Sequence, residues 1–157
     1  MPMMGTTEKA AGALPMATSP GDTGRAMSQE NVELVRGSFE AYLRGDLETA
    51  LAGFDPEVEI YDHDIPDAGE YRGVEGVLRW QADWDREWES WRWDPEEYID
   101  AGERVVAVLR VYAKGRQSGV EVERLDGAVY TMREGKCVRL DYYGSKEQAL
   151  EAVGLRE

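Results

Sequence analysis

The second half of the chain constrains the fold most, because it contains consecutive stretches with the two-residue alternation of β-strands. These stretches are PEEYIDAG, RVVAVLRVYAKG, VEVERLDGAVYTM and KCVRLDYYG. Short connections such as DAGER and REGK join some of them. Strands joined by such short connections pair antiparallel. This half of the sequence therefore predicts an antiparallel sheet.

The first half adds helices and one more strand. Apolar residues recur at helical spacing between Val32 and Tyr42, and Gly45 ends that pattern. DLETALAGF predicts a short second helix, EVEIYD a strand and DAGEYRG a turn. A last helix over SKEQALEAVGL is predicted to begin at a capping box of Ser145 and Gln148. This order of elements predicts an α+β domain with helices on one face of the sheet.

The segment VLRWQADWDREWESWRW holds all five tryptophans of the chain. We predict one helix from Val74 to Trp91, because apolar residues three or four apart form a single stripe on it. The stripe either packs on the sheet or lines part of an apolar ligand pocket, and both can hold together. Its members are Val77, Trp80, Trp84, Trp88 and Trp91.

The composition narrows the classes of partner. With 32 acidic and 18 basic residues the formal net charge is -14, so nucleic acid and anionic membrane surfaces are repelled and are not expected as partners. The single cysteine, Cys137, forms no internal disulfide, which fits a cytoplasmic protein. No apolar run approaches the roughly 18 residues that a membrane-spanning helix needs.

Residues 1–26 differ from the remainder, because they contain no aromatic residue, no valine and no isoleucine. Such a segment buries too little apolar surface to offset the entropy of ordering. We therefore predict a disordered tail over residues 1–26 and one domain over residues 27–157. The periodic pattern opens at Met27, which we interpret as the natural start of the chain.

Several of these stretches together resemble the SnoaL-like branch of the nuclear-transport-factor-2-like superfamily. They are MSQENVELVRGSFEAYLRGDLETALAGFDPEVEIYD, YRGVEGV, YIDAGERVVAVLR and YTMREGKCVRLDYYGSKEQALEAVGL, within about residues 27–155. The resemblance implies a cone-shaped α+β barrel, in which a bent antiparallel sheet wraps around helices and encloses a pocket. The superfamily includes ketosteroid isomerases, polyketide cyclases, limonene-epoxide hydrolases and non-catalytic binding domains, so the fold does not decide the activity.

The resemblance also implies which strand residues face the pocket. Most are apolar, and the charged ones among them are the best site candidates, because charges on an enclosed surface are costly unless paired. The alternative is that these charges lie at a wet rim and only pair with each other. The residues expected to face inward are Val58, Ile60, Asp62, Val105, Ala107, Leu109, Val122, Arg124, Asp126, Ala128, Tyr130, Arg139, Asp141 and Tyr143.

Two aspartates are similar in position to catalytic carboxylates of the superfamily. Asp62 falls where ketosteroid isomerases keep the proton-moving carboxylate, and Asp141 falls where limonene-epoxide hydrolases keep the aspartate that activates water. The resemblance therefore implies Asp62 and Asp141 as base candidates. We add Arg124 as an orienting cation and Asp126 as a proton donor, which is coherent for acid–base chemistry.

The chain departs from both motifs at the partner residues. The positions of the isomerase oxyanion hole hold Ser38 and Ala128, and the hydrolase arginine and second aspartate correspond to Val105 and Ala107. Two functions therefore stay open: an acid–base isomerase, cyclase or epoxide hydrolase acting on a compact apolar substrate, and a non-catalytic ligand-binding or dimerisation domain.

The only histidine, His63, lies between Asp62 and Asp64. It is a metal ligand, a residue of the pocket rim that donates to a carboxylate, or part of a solvated turn. A lone histidine supplies one nitrogen ligand, so we predict no metal and no cofactor. The predicted ligand is a small hydrophobic molecule. The predicted ligand-binding residues are Ile60, Tyr61, His63, Trp80, Trp84, Val105, Ala107, Leu109, Ala128, Arg139 and Tyr143.

A homodimer is predicted from the outer face of the sheet. A bent sheet with an apolar outer face needs cover, and a two-fold partner supplies it. The residues expected on that face are Leu125, Val129, Val138, Leu140 and Tyr142.

Overall fold

The computed structural model describes residues 20–65 and 70–155, with side chains described from Ser28 onward. The first helix, α1, begins at Pro20, which is before the predicted boundary at Met27. The remainder of the predicted tail, residues 1–19, lies outside the described residues.

Four helices and six strands make up the described part of the chain. Asp46 caps α2 by accepting from the Thr49 N–H, and Ser145 caps α4 by accepting from the Gln148 N–H. In chain order the elements are α1 (Pro20–Leu43), α2 (Leu47–Ala52), β1 (Phe54–Asp62), β2 (Tyr71–Arg72), α3 (Gly73–Glu87), β3 (Trp88–Ala101), β4 (Arg104–Gly115), β5 (Glu121–Arg133), β6 (Lys136–Tyr143) and α4 (Lys146–Ala152).

The strands form one bent, unclosed sheet in the order β2-β1-β6-β5-β4-β3. The four strands from β3 to β6 are consecutive antiparallel neighbours, as their short connections predict. The α+β class is therefore confirmed. Two details differ from the prediction: β1 pairs with β6 in parallel, and β2 lies within the segment predicted as a turn.

The prediction of one helix from Val74 to Trp91 is wrong at its end, because α3 ends at Glu87. Trp88 and Trp91 belong to β3, which pairs with β4 from its first residue. The Arg116 side chain donates hydrogen bonds to the backbone carbonyls of Asp85 and Trp88, and it thereby satisfies carbonyl groups where α3 ends. Tertiary pairing thus decides between helix and strand here.

The sheet has an apolar core on each face. The larger core lies on the inner face, between the sheet and helices α1 to α3. The smaller core lies on the outer face, where α4 covers Val106, Val108 and Val129. Gly127 permits this contact, because a Cβ there would lie 2.4 Å from the Cβ of Ala149.

The predicted facing of β6 is wrong by one residue. Thr131 pairs with Arg139 and Met132 pairs with Cys137, so Val138 is an extra residue in β6. A slip of one residue exchanges the two faces of a strand. Leu140 and Tyr142 therefore point into the inner core, although they were predicted to face outward, whereas Arg139, Asp141 and Tyr143 lie on the outer face.

Within the residues that the structure describes, none of the helices combines the length and the apolar character needed to cross a membrane.

Candidate functional site

A cavity of about 210 Å³ lies between the inner face of the sheet and helices α1, α2 and α3. Its wall is almost entirely apolar, and it opens beside Leu47 and Leu78, which are 49% and 45% exposed. The described lining residues are Ser38, Phe39, Tyr42, Leu47, Ala50, Leu51, Phe54, Val77, Leu78, Trp80, Gln81, Trp93, Leu109, Ala128, Tyr130, Leu140 and Tyr142.

The predicted ligand-binding residues divide into three groups. Trp80, Leu109 and Ala128 line the cavity. A second group faces inward but is packed in the core without lining the cavity: Ile60, Trp84, Val105 and Ala107. The third group lies on the outer face, away from the cavity: Tyr61, His63, Arg139 and Tyr143.

Residues of α1 and α2 supply much of the wall, and sequence reasoning did not assign them to the site. Phe39 and Tyr42 come from the apolar stripe of α1, whereas Leu47 and Leu51 lie one turn apart on α2. The sequence does contain a pattern at these residues, which is the helical periodicity of the apolar side chains. Periodicity marks a buried face, however, and does not tell packed core from cavity wall.

Asp62 is buried on the inner face at the end of β1, with 6% of its surface exposed. Its Oδ2 accepts hydrogen bonds from the indole N–H groups of Trp80, at 2.8 Å, and Trp84, at 3.2 Å. Its Oδ1 accepts from the backbone N–H of Asp64 at 3.0 Å. Burial raises the pKa of Asp62, and these hydrogen bonds act in the opposite direction. Asp62 does not line the cavity, and its hydrogen bond with Trp80 connects it to the cavity wall.

Asp126 is fully buried on β5 and is held by Arg124. Arg124 donates from Nε to Oδ1 and from Nη2 to Oδ2, both at 2.9 Å, and it also reaches Asp64 Oδ2 at 2.9 Å. The Tyr142 hydroxyl donates to Asp126 Oδ2 and accepts from Trp93 Nε1 at 3.0 Å. Burial raises the pKa of Asp126, whereas Arg124 and Tyr142 favour its ionised form.

Asp141 belongs to a separate cluster on the outer face of the sheet. His63 Nε2 lies 2.8 Å from Asp141 Oδ1, and Arg139 donates to both carboxylate oxygens at 2.9 and 3.0 Å. The His63 ring stacks on Tyr143 with the centroids 4.6 Å apart, and the Arg139 guanidinium lies 4.3 Å from the Tyr61 ring centroid. His63 thus pairs with a carboxylate, as one of its three alternatives has it, but it does so on the outer face of the sheet and not at the rim of the cavity.

The predicted catalytic residues therefore do not surround one cavity. Asp62, Arg124 and Asp126 belong to one partly buried network, linked through Asp64, and Asp141 lies across the sheet from them. No three His, Cys, Asp or Glu side chains within the described residues converge as a metal-binding group.

The cavity itself carries no charged group among its described lining residues. Its ionisable groups are the phenols of Tyr42, Tyr130 and Tyr142, and burial raises the pKa of each of them, so they stay neutral. Ser38 donates to the Ala50 carbonyl at 2.8 Å, and Tyr42 donates to Gln81 Oε1 at 3.1 Å. The arrangement suits an uncharged ligand.

Solved structures with the same fold support the architecture. An NTF2-like protein from Burkholderia pseudomallei is 23% identical, with a TM-score of 0.63 over 80% of this chain and 98% of the other. TerC, co-crystallised with polyporic acid, is 23% identical, with a TM-score of 0.64 over 79% and 98%. A protein from Catenulispora acidiphila with a ketosteroid isomerase-like fold, in complex with trimethylamine, is 18% identical, with a TM-score of 0.60 over 78% and 93%.

These similarities place the fold among the NTF2-like α+β proteins. The family model for the SnoaL-like domain matches residues 35–140, which is more than half of the chain, and the chain belongs to this family. No curated protein sequence matches it significantly.

Proposed function

We propose that this SnoaL-like domain binds a small, uncharged, largely apolar molecule in the cavity between its helices and the inner face of its sheet. The observation that carries the proposal is the character of the wall: its described residues include no carboxylate, no histidine, no arginine or lysine and no thiol. A pocket of this kind binds by excluding water from apolar surface.

The two buried carboxylates support binding rather than acid–base catalysis. Asp62 and Asp126 each accept three hydrogen bonds from protein donors, and Trp80 and Tyr142 lie between them and the cavity. A general base must come within hydrogen-bond reach of the proton that it removes. In this arrangement the carboxylates fix the aromatic side chains of the wall.

The exposed side chains at the mouth agree with an apolar ligand. Leu47 and Leu78 are close to half exposed although both contact the cavity. Apolar surface clustered at the mouth of a cavity is typical of a ligand entrance. Relatives with this fold have been crystallised with polyporic acid and with trimethylamine, so the fold accommodates small organic molecules.

Calorimetric titration with isopropylbenzene tests the proposal. The wild type is expected to bind this hydrocarbon. Ala128→Leu should weaken binding about tenfold or more, because the larger side chain occupies part of the cavity. Ala113→Leu is the matched control, because Ala113 is buried on the inner face but does not line the cavity. Binding that is absent in the wild type, or equal in all three proteins, would contradict the proposal.

A second candidate is acid–base chemistry at Asp62, which its burial and raised pKa favour. A screen with epoxides, enolisable ketones and polyketide-like aromatics would look for turnover. If Asp62 is the base, Asp62→Asn should lower turnover by about 100-fold or more. Asp141→Asn, on the opposite face of the sheet, is the control and should leave turnover unchanged. Full turnover in Asp62→Asn would exclude this role.

A further inference from the structure

Tyr130 is the residue of the described cavity wall whose hydroxyl group lacks a hydrogen-bond partner. It lies on the inner face of β5, paired with Val105 and Leu140, and is 8% exposed. Its side chain lines the cavity, and its hydroxyl forms no hydrogen bond with any described residue.

The other hydroxyl groups of the described wall are already engaged. Ser38 donates to the Ala50 carbonyl, Tyr42 donates to Gln81, and Tyr142 donates to Asp126. Tyr130 therefore has the one hydroxyl proton among the described lining residues that is available to a ligand. Burial raises the pKa of Tyr130, which keeps the phenol protonated and able to donate.

Resting on the proposed function, we infer that the ligand carries an uncharged hydrogen-bond acceptor, such as a carbonyl oxygen, and that Tyr130 donates to it. The Tyr130 hydroxyl has no partner within the described protein and is not fully enclosed by it, so an acceptor on a ligand in the cavity can bond this free donor. The acceptor is uncharged, because no cation is present in the described wall and the chain carries a net charge of -14. Tyr130 thus selects ketone-like molecules over hydrocarbons of the same shape.

The chain offers a matched control in Tyr98. Its hydroxyl also lacks a partner, but it is fully buried, and Tyr98 does not line the cavity. Tyr98→Phe and Tyr130→Phe therefore remove the same atom from two buried sites, and only one of these sites faces the proposed ligand. Neither substitution breaks a hydrogen bond within the described residues, so both variants are expected to fold.

The experiment compares acetophenone with isopropylbenzene, which has the same size and a methyl group in place of the carbonyl oxygen. Dissociation constants are measured by titration calorimetry for the wild type and both variants. Tyr130→Phe should weaken acetophenone binding roughly three- to tenfold and leave isopropylbenzene unchanged. Tyr98→Phe should change neither. In the wild type, infrared spectra should show the carbonyl stretch of bound acetophenone shifted to the lower frequency of a hydrogen-bonded ketone.

The outcomes separate this inference from the proposed function. If isopropylbenzene binds but Tyr130→Phe affects both probes equally or neither, the role of Tyr130 is refuted and the apolar pocket stands. If the carbonyl stretch of bound acetophenone has the frequency seen in alkane solvent, the role of Tyr130 is also refuted, and this measurement needs only the wild type. If neither probe binds, the proposed function fails and this inference fails with it.

Discussion

Asp62 is the residue at which burial and charge oppose each other most directly. Three N–H donors hold its carboxylate, and no arginine or lysine of the described residues is bonded to it. The two indoles that it holds, Trp80 and Trp84, belong to the inner core, and Trp80 forms part of the cavity wall. Asp62 therefore positions the wall, and its burial should be measurable as a pH-dependent cost to stability.

Asp62→Asn tests this cost. Below pH 3.8, the ordinary pKa of the carboxyl, both the folded and the unfolded chain keep the proton. As the pH rises above that value the unfolded chain loses its proton first, because the folded-state pKa is raised, and the free energy of unfolding of the wild type falls. The amide that replaces the carboxyl in the variant has no proton to lose, so the stability of the variant relative to the wild type should increase across this window.

Urea unfolding of both proteins at a series of pH values measures the difference. The increase should begin near pH 4 and level off above the folded-state pKa of Asp62. A difference that stays constant or decreases with rising pH would show that burial does not raise this pKa.

The face of the sheet on which a strand residue lies could be predicted only where the two-residue alternation of the strand is unbroken. Arg124 and Asp126 lie on the predicted face, because no extra residue interrupts the pairing of β5 with β4. Asp62 also lies on the predicted face, since the register shift between β1 and β6 comes before Glu59. Asp141 lies on the other face because Val138 is an extra residue in β6. A bulge of this kind leaves little trace in the pattern of apolar residues, so sequence alone placed Asp141 in the wrong environment.

At the scale of elements, α4 is held on the outer face by a close approach to β5. Gly127→Ala should destabilise the protein by about 1–3 kcal/mol, since the added Cβ would lie 2.4 Å from Ala149 Cβ and would displace the helix. Gly37→Ala is the control, because Gly37 lies within α1 and a Cβ there meets nothing within 4 Å. It should stabilise the protein by about 0.5–1 kcal/mol.

Thermal unfolding compares these two variants with the wild type. If Gly127→Ala unfolds at the same temperature as the wild type, α4 does not depend on this contact.

The tryptophan segment contains a boundary between a helix and a strand that the sequence alone does not predict. Helical spacing continues past Glu87 through Trp88 and Trp91, while Trp91 and Trp93 already have the two-residue spacing of a strand. Both periods fit, and local propensity does not choose between them. The partner strand β4 decides, because it pairs with β3 along its whole length, from Gly115 back to Arg104.

At the scale of the whole molecule, a homodimer stays a prediction, although its grounds have changed. Leu140 and Tyr142 point inward, and α4 covers Val129, so the apolar outer face used to predict the dimer is largely absent. The prediction now rests on the family resemblance, which implies a domain that is usually dimeric. Light scattering at micromolar concentration should report twice the chain mass of 17.7 kDa. A mass of 17.7 kDa would identify a monomer.

The topology was predictable where neighbours in sequence are neighbours in the sheet. β3 to β6 follow one another through short turns, so their antiparallel order follows from the sequence. The parallel pairing of β1 with β6 joins strands that are distant in sequence, and no local signal encodes it. That pairing places Asp62 beside Tyr142. It thereby brings close together, behind the cavity wall, the hydrogen bonds that the two buried carboxylates accept from aromatic side chains.

The indole N–H signals of the five tryptophans test the central claim most directly, because these residues differ in their distance from the cavity. Each signal can be assigned by a Trp→Phe substitution and followed by NMR during titration with isopropylbenzene. Trp80 and Trp93 line the cavity and should shift most, whereas Trp88 lies outside its wall and should stay in place. Shifts confined to Trp88 and Trp91, or no shift up to the solubility limit of the probe, would contradict binding in this cavity.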